Sequence, residues 1–289
     1  MPSNICCRLV FLVCGACISH FMCNFAEKNQ LQEEKRKMKV TLLQQDIVWA
    51  NPEANVKHIE ELLAKAEPAD LYILPEMFST GFATSPAGIA ETDGGETIKW
   101  MIRTAKQRNC AIAGSVAVEH NGKFYNRFYF VHPDGQVEHY DKHHLFTYGG
   151  EHKTFTAGSE RVVVTHCGVR ILLQICYDLR FPVFSRNRGD YDMIIYVASW
   201  PTPRVEAWKS LLVARAIENQ CYVAAVNRVG EDPACSYCGG TMLIDAYGRK
   251  IAMCPEGEEN VISGNVDMES LLEFRQKFPV LNDADKNLF

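Results

Sequence analysis

The chain has 289 residues, 47% hydrophobic and 22% charged, with a net charge of −5 and a pI near 6.0. That is ordinary globular composition with enough apolar material for one large core. The acidic balance, and the lack of a basic stripe with interleaved aromatics, argue against a nucleic-acid partner.

Residues 1–37 differ from the rest. Leu9 to Ile18 form an apolar run behind a single basic residue, Arg8, shaped like a signal-peptide core and too short to span a bilayer. A lipoprotein reading would use Cys17, but Cys14 is a poor residue upstream of it. The preferred expectation is that Met38 is the start, that residues 1–37 form a signal-like or untranslated, disordered extension, and that the protein is cytoplasmic. Residues 38–289 then read as one domain, without a stable membrane span. Of the twelve cysteines, five crowd this first stretch and seven are scattered. Scattered cysteines in a chain of this length read as reduced buried thiols. Cys235 and Cys238 have CxxC spacing, but one such pair is weak evidence for zinc and follows no thioredoxin-like context.

From Met38 onward the elements alternate. Val40 to Gln44 reads as a strand. Asn51-Pro52-Glu53 is a helix start, with Asn as the cap, Pro in the first turn and an acid beside it. Val56, Ile59, Leu63 and Ala66 continue at helical spacing until Pro68. Leu71 to Pro75 is a short apolar run, as a strand covered on both faces would be. Glu96 to Arg108 reads as a helix and Cys110 to Val118 as a strand. Asn121-Gly122 is a hairpin signal leading into Tyr125–Val131, and Pro133-Asp-Gly135 is another turn. Val169 to Ile175, Met193 to Ala198 and Cys221 to Val226 read as strands. Val205 to Asn219 reads as a helix with little polar surface, buried or set in a subunit interface. Strands alternating with helices, plus hairpins, predict α/β layers.

Three segments carry candidate chemistry. Glu76 directly follows the Leu71–Pro75 strand, where ligands of α/β sheets bind and where burial suits a carboxylate to acid–base work. A solvated glutamate at a strand end fits that segment equally well. Lys142 lies in Tyr140-Asp-Lys-His-His-Leu-Phe146 and alone is an ordinary surface lysine. The adjacent His143 and His144 point opposite ways on an extended chain, so they read as surface histidines and not as a metal pair. Cys176 ends the apolar strand Val169–Ile175, followed by Tyr177-Asp-Leu-Arg-Phe-Pro182. A nucleophile projects well from such a turn, whose following N–H groups are free to bind an oxyanion; a buried structural thiol is the plain alternative.

In this order, the three segments resemble the nitrilase superfamily of carbon–nitrogen hydrolases. The likeness extends to Gly150-Glu151, Phe155-Thr-Ala-Gly158, Ala198-Ser-Trp-Pro201, Arg215 to Gln220, Asn227 to Gly230, Gly239-Gly240 and Gly248, and runs from about Met38 to the C-terminus. The omega-amidase branch is the nearest likeness. The resemblance implies an α-β-β-α sandwich of the four-layer type, paired into a homodimer or higher oligomer. It implies a small-molecule amide as substrate, and no cofactor or metal. It implies a Glu76–Lys142–Cys176 triad that hydrolyses the terminal amide of a dicarboxylate monoamide through a cysteine thioester. Glu151 is then a supporting carboxylate, and the Tyr177 N–H an oxyanion donor. The substrate's far carboxylate needs a cation, for which Arg204 is preferred to Arg180. Phe78, Phe82 and Trp200 are candidates to wall the pocket. A nitrilase, carbamoylase or aliphatic amidase shares the same triad, so these remain alternatives, as does a catalytically silent binding protein on this fold.

Overall fold

A computed structural model describes residues 37–285. Within those residues a seven-stranded and a six-stranded sheet lie face to face with helices outside them, an α-β-β-α sandwich. In the first sheet, β1 (Lys37–Gln44), β2 (Leu71–Ile73) and β4 (Ala111–His120) run parallel. The hairpin strands β5 (Lys123–Val131) and β6 (Val137–Asp141) follow, and β3 (Glu91–Thr92) pairs with β4. The second sheet has β8 (Val169–Ile175), β9 (Met193–Ala198) and β10 (Tyr222–Asn227) parallel at its centre. β7 (Val163–His166) closes one side, and β13 (Met242–Ile244) and β14 (Lys250–Met253) the other. A two-stranded ribbon, β11 (Val229–Glu231) with β12 (Ser236–Cys238), stands apart. β15 (Asn260–Asp267) returns to pair with β1, so the first sheet is completed by the end of the chain.

The two-residue period of a strand sorts the apolar runs between cores. Leu71 and Ile73, Ile171, Leu173 and Ile175, and Met193, Ile195 and Val197 face the space between the sheets. Tyr72 and Leu74 turn the other way, against α1 (Pro52–Lys65) and α2 (Glu96–Arg108), on which Ile59, Leu63, Trp100 and Met101 are buried. Leu172, Ile194 and Tyr196 meet Trp208, Leu212 and Ala216 of α3 (Val205–Asn219). Runs without alternation are therefore strands covered on both faces, as expected. The last helix, α4 (Met268–Lys277), buries Leu271 against the inter-sheet core.

Local signals hold at several boundaries. The Asn51 side chain accepts a hydrogen bond from Ala54 N–H at 3.1 Å and caps α1. Asn121 and Gly122 both take positive φ, 53° and 73°, as a two-residue hairpin turn demands. β1 begins three residues before Val40: Lys37 pairs with Asp267 across the sheet. The signal-like run and Cys17 lie outside the described residues. α3 is only partly covered, since Ile217 is 51% exposed.

β2, β6, β8 and β9 all end at the same edge of the sandwich, where ligands of parallel sheets gather. Gly114 of β4 keeps this edge compact. A Cβ there would stand 2.9 Å from Leu74 Cβ and from Phe78, beneath the turn that carries Glu76. Gly114→Ala is expected to cost about 1–3 kcal/mol in urea unfolding, the usual penalty of overpacking, and to lower catalytic turnover by shifting that turn. Unchanged stability and turnover would contradict this placement.

Candidate active site

Glu76, Lys142 and Cys176 each lie just beyond the end of a strand. After β2 the chain turns sharply: Met77 has φ 45°, its N–H donates to Ser115 Oγ at 2.9 Å, and Thr80 N–H donates back to Met77 O at 3.0 Å. This turn aims Glu76 inward. Lys142 follows β6, held by its N–H donating to Asn126 O (3.0 Å) and by Gly158 N–H donating to Lys142 O (2.9 Å). Cys176 follows β8 at the first position of a short 3-10 turn with φ 44°. That conformation costs a non-glycine residue on the order of 1–3 kcal/mol and persists only where the surroundings enforce it.

Glu76, Lys142 and Glu151 are completely buried. Lys142 Nζ donates to Glu76 Oε1 at 2.9 Å and to Glu151 at 3.0 and 3.2 Å. The remaining acceptor capacity is also satisfied. Glu76 Oε2 accepts from Ser199 N–H (2.8 Å), and Glu151 Oε2 from Phe146 N–H (2.6 Å). Asn126 Nδ2 donates to Glu76 Oε1 (2.8 Å) and to Glu151 Oε1 (3.3 Å). The Lys142 ammonium also lies 5.1 Å from the centre of the Phe82 ring.

Burial works against the charged Lys142, but Glu151 and Glu76 outweigh it and hold its pKa above the ordinary value. Burial, with the Glu76 charge adding to it and Lys142 opposing, raises the Glu151 carboxyl. The Cys176 thiol is pushed well above its usual value by burial first and by Glu76 second, against the pull of Lys142. Burial therefore favours the protonated thiol at Cys176. The Lys142 ammonium favours the thiolate but does not outweigh burial and Glu76.

Above these groups opens a cavity of about 370 Å³ whose lining includes Cys176, Tyr177, Phe82, Trp200, Arg180 and Arg204. Arg180 lies over the Trp200 ring at 4.8 Å and Arg204 over Phe146 and Tyr148 at 5.4 and 6.0 Å. Among the described residues neither guanidinium has a carboxylate partner. Asp232 also borders the cavity, but its oxygens accept from Ala234 N–H, Cys235 N–H and Tyr237 OH. It is turned to its own loop and leaves the two cations free for a ligand.

Two expectations need correction. Phe78 does not reach the cavity: it points outward into the α1–α2 core, 6.1 Å from Trp100, because it lies two residues beyond Glu76 on a turn that reverses direction. His143 and His144 are not surface histidines. Each is half-buried and stacked on a phenylalanine, His143 on Phe184 at 4.2 Å and His144 on Phe181 at 3.9 Å. Cys235, half of the CxxC pair, borders the cavity as a free thiol, as Cys238 is free. Asn126 went unremarked in the sequence because one asparagine inside a strand has no local signature.

The family model described as carbon-nitrogen hydrolase matches residues 39–276. The chain is 46% identical over 252 residues to omega-amidase YafV of Escherichia coli, covering 86% of this chain and 97% of that one. It is 38% identical over 261 residues to 2-oxoglutaramate amidase of Bacillus subtilis, covering 88% and 100%. Among solved structures, a CN-hydrolase superfamily protein from Xanthomonas campestris superposes with a TM-score of 0.85 at 40% identity, covering 88% of this chain and 99% of that one.

The buried ammonium yields a stability prediction. Lys142→Met strands two buried carboxylates, at a cost of about 3–5 kcal/mol near neutral pH. Without the ammonium these carboxyls hold protons more tightly folded than unfolded, so the deficit grows as pH rises and shrinks in acid. Urea unfolding at pH 5 and pH 8 measures this; an equal deficit at both would contradict it.

Proposed function

As this chain belongs to the carbon–nitrogen hydrolase family, we propose that it hydrolyses the terminal amide of small dicarboxylate monoamides of the 2-oxoglutaramate and 2-oxosuccinamate type, giving the acid and ammonia. One observation carries the substrate class: two guanidinium groups without carboxylate partners line a cavity that also holds a thiol, with an ammonium and a carboxylate beneath it. A neutral substrate would leave both cations uncompensated; a monoamide with a far carboxylate supplies the missing charge. The names and high coverage of the relatives support the same reading.

In the proposed cycle Glu76 takes the Cys176 proton as sulfur attacks the amide carbonyl, which explains why a thiol of raised pKa can still act. The tetrahedral oxyanion is met by the Lys142 ammonium and the Tyr177 N–H, such donors being worth on the order of 3 kcal/mol each. Glu76 gives its proton to the departing nitrogen, and ammonia leaves a thioester on Cys176. Glu76 then deprotonates the water that hydrolyses it, releasing the carboxylate and restoring the thiol. Glu151 keeps the ammonium in place throughout. The far carboxylate is held by Arg204, whose backbone carbonyl accepts from Trp200 Nε1 at 2.7 Å and ties the wall of the pocket together.

The test is ammonia release from 2-oxoglutaramate, an aliphatic nitrile and a carbamoyl amino acid. Turnover of the first is expected, with Arg204→Gln raising KM by about tenfold or more, the worth of a charge-assisted hydrogen bond, and leaving kcat less affected. Nitrile turnover without amide turnover would reject the substrate class, and an unchanged KM would remove Arg204 from its role.

We also propose a homodimer. Ile217, Tyr247 and Phe278 are 51%, 52% and 60% exposed. They adjoin one another through Gly248, which packs against Ile217, and Phe274, on which Tyr247 stacks. Apolar groups gathered like this mark an interface. Light scattering is expected to give twice the 32.6 kDa chain mass; a monomer at micromolar concentration would overturn it. No helix among the described residues is long and apolar enough to cross a membrane, and cytoplasmic residence is consistent with such a substrate.

A further inference from the structure

We propose that the buried Asp178 carboxylate, together with His144, is a positioning device that sets where the Cys176 thiol stands relative to the Lys142 ammonium. The two reacting groups come from different sheets, Lys142 from the end of β6 and Cys176 from the end of β8. No sheet pairing links those two ends. Asp178, fully buried two residues after the cysteine, makes the link. Its Oδ2 accepts from the N–H of Ile175 (3.0 Å) and from the hydroxyl of Tyr140 (2.8 Å). Its Oδ1 accepts from the N–H of His144 (2.9 Å) and from His144 Nδ1 (2.8 Å). Tyr140 oxygen in turn accepts from the N–H of His143 at 3.0 Å.

The pattern brackets both reacting residues. Tyr140 and His144 lie two residues before and two after Lys142, and Ile175 and Asp178 enclose Cys176. The parallel ring stacks of His144 on Phe181 and His143 on Phe184 close the same seam from outside. Four donors converge on one side chain that only accepts, so no neutral isostere can replace it. An amide would turn its own N–H₂ toward two donors, leaving one of them buried and unpaired. Asp178 does not border the cavity, so it does not touch substrate. Its effect is exerted through the turn that holds Cys176 at φ 44°. Errors of about 1 Å in such a placement cost about a hundredfold in rate.

This assignment rests on the proposed acyl transfer for one of its two readouts only. His144→Asn keeps an N–H donor near Asp178 and loses the ring stack; His144→Phe keeps the stack and loses the donor. Both are compared with the unaltered protein in kcat and KM for 2-oxoglutaramate, and in the rate of Cys176 alkylation by iodoacetamide, which needs no substrate. His144→Phe is expected to lose about ten- to a hundredfold in kcat with KM within about threefold, and to change the alkylation rate, while His144→Asn stays within about threefold of the original in both readouts. A His144→Asn protein impaired more than about tenfold, or a His144→Phe protein unaltered in both readouts, overturns the assignment. The first of these outcomes decides the matter even if His144→Phe fails to fold. If the unaltered protein releases no ammonia at all, the functional reading fails, while the alkylation rates still test the placement.

Discussion

The arrangement at the sheet edge depends on one ammonium shared between two buried carboxylates. Lys142 sits 2.9 Å from Glu76 and 3.0 Å from Glu151, and none of the three side chains reaches solvent. Alone, any of these charges would be expelled or neutralised by burial. Together they carry a formal charge of −1, softened by the N–H groups of Ser199 and Phe146 and by the amide of Asn126. Such a cluster is costly to assemble and contributes little to stability when compared with an apolar core. Its persistence in the interior points to chemistry, since it sets a carboxyl group and a fixed cation beside a thiol whose pKa burial raises.

The fold supplies what that cluster requires. Parallel strands from both sheets finish at one edge, and in the turns beyond them left-handed backbone falls at Met77, next to Glu76, and at Cys176 itself. Two sheets contribute, since Glu76 and Lys142 follow strands of one and Cys176 a strand of the other. The inter-sheet core of aliphatic side chains sets their separation. Shifts there would pass directly to these three side chains, and the same holds at Gly114 and along the proposed Asp178 link, neither of which borders the cavity.

Much of this was legible in the sequence. The Asn51 cap, the Asn121-Gly122 turn and the bounds of the helices at Glu96–Arg108 and Val205–Asn219 follow from local chemistry and agree with the structure. The apolar runs around Leu71 and Met193 read as strands, the first of them covered on both faces, but which residues meet which core depends on the partner sheet. The return of β15 to β1 spans more than 200 residues and has no local signal. Glu76, Lys142 and Cys176 were found through their motifs, each modest alone. Phe78 was misplaced because a reversal of the chain beyond Glu76 is invisible in residue type. His143 and His144 were misread because their stacking partners lie about 40 residues downstream.

In the proposed cycle the Cys176 sulfur carries the acyl group. Rapid quenching of the protein with 2-oxoglutaramate, followed by intact-protein and peptide mass spectrometry, would capture that thioester. A transient mass increase equal to the acyl group is expected, confined to the peptide that holds Cys176 and abolished in Cys176→Ala together with ammonia release. Ammonia release that survives Cys176→Ala, or an adduct on any other residue, would contradict it.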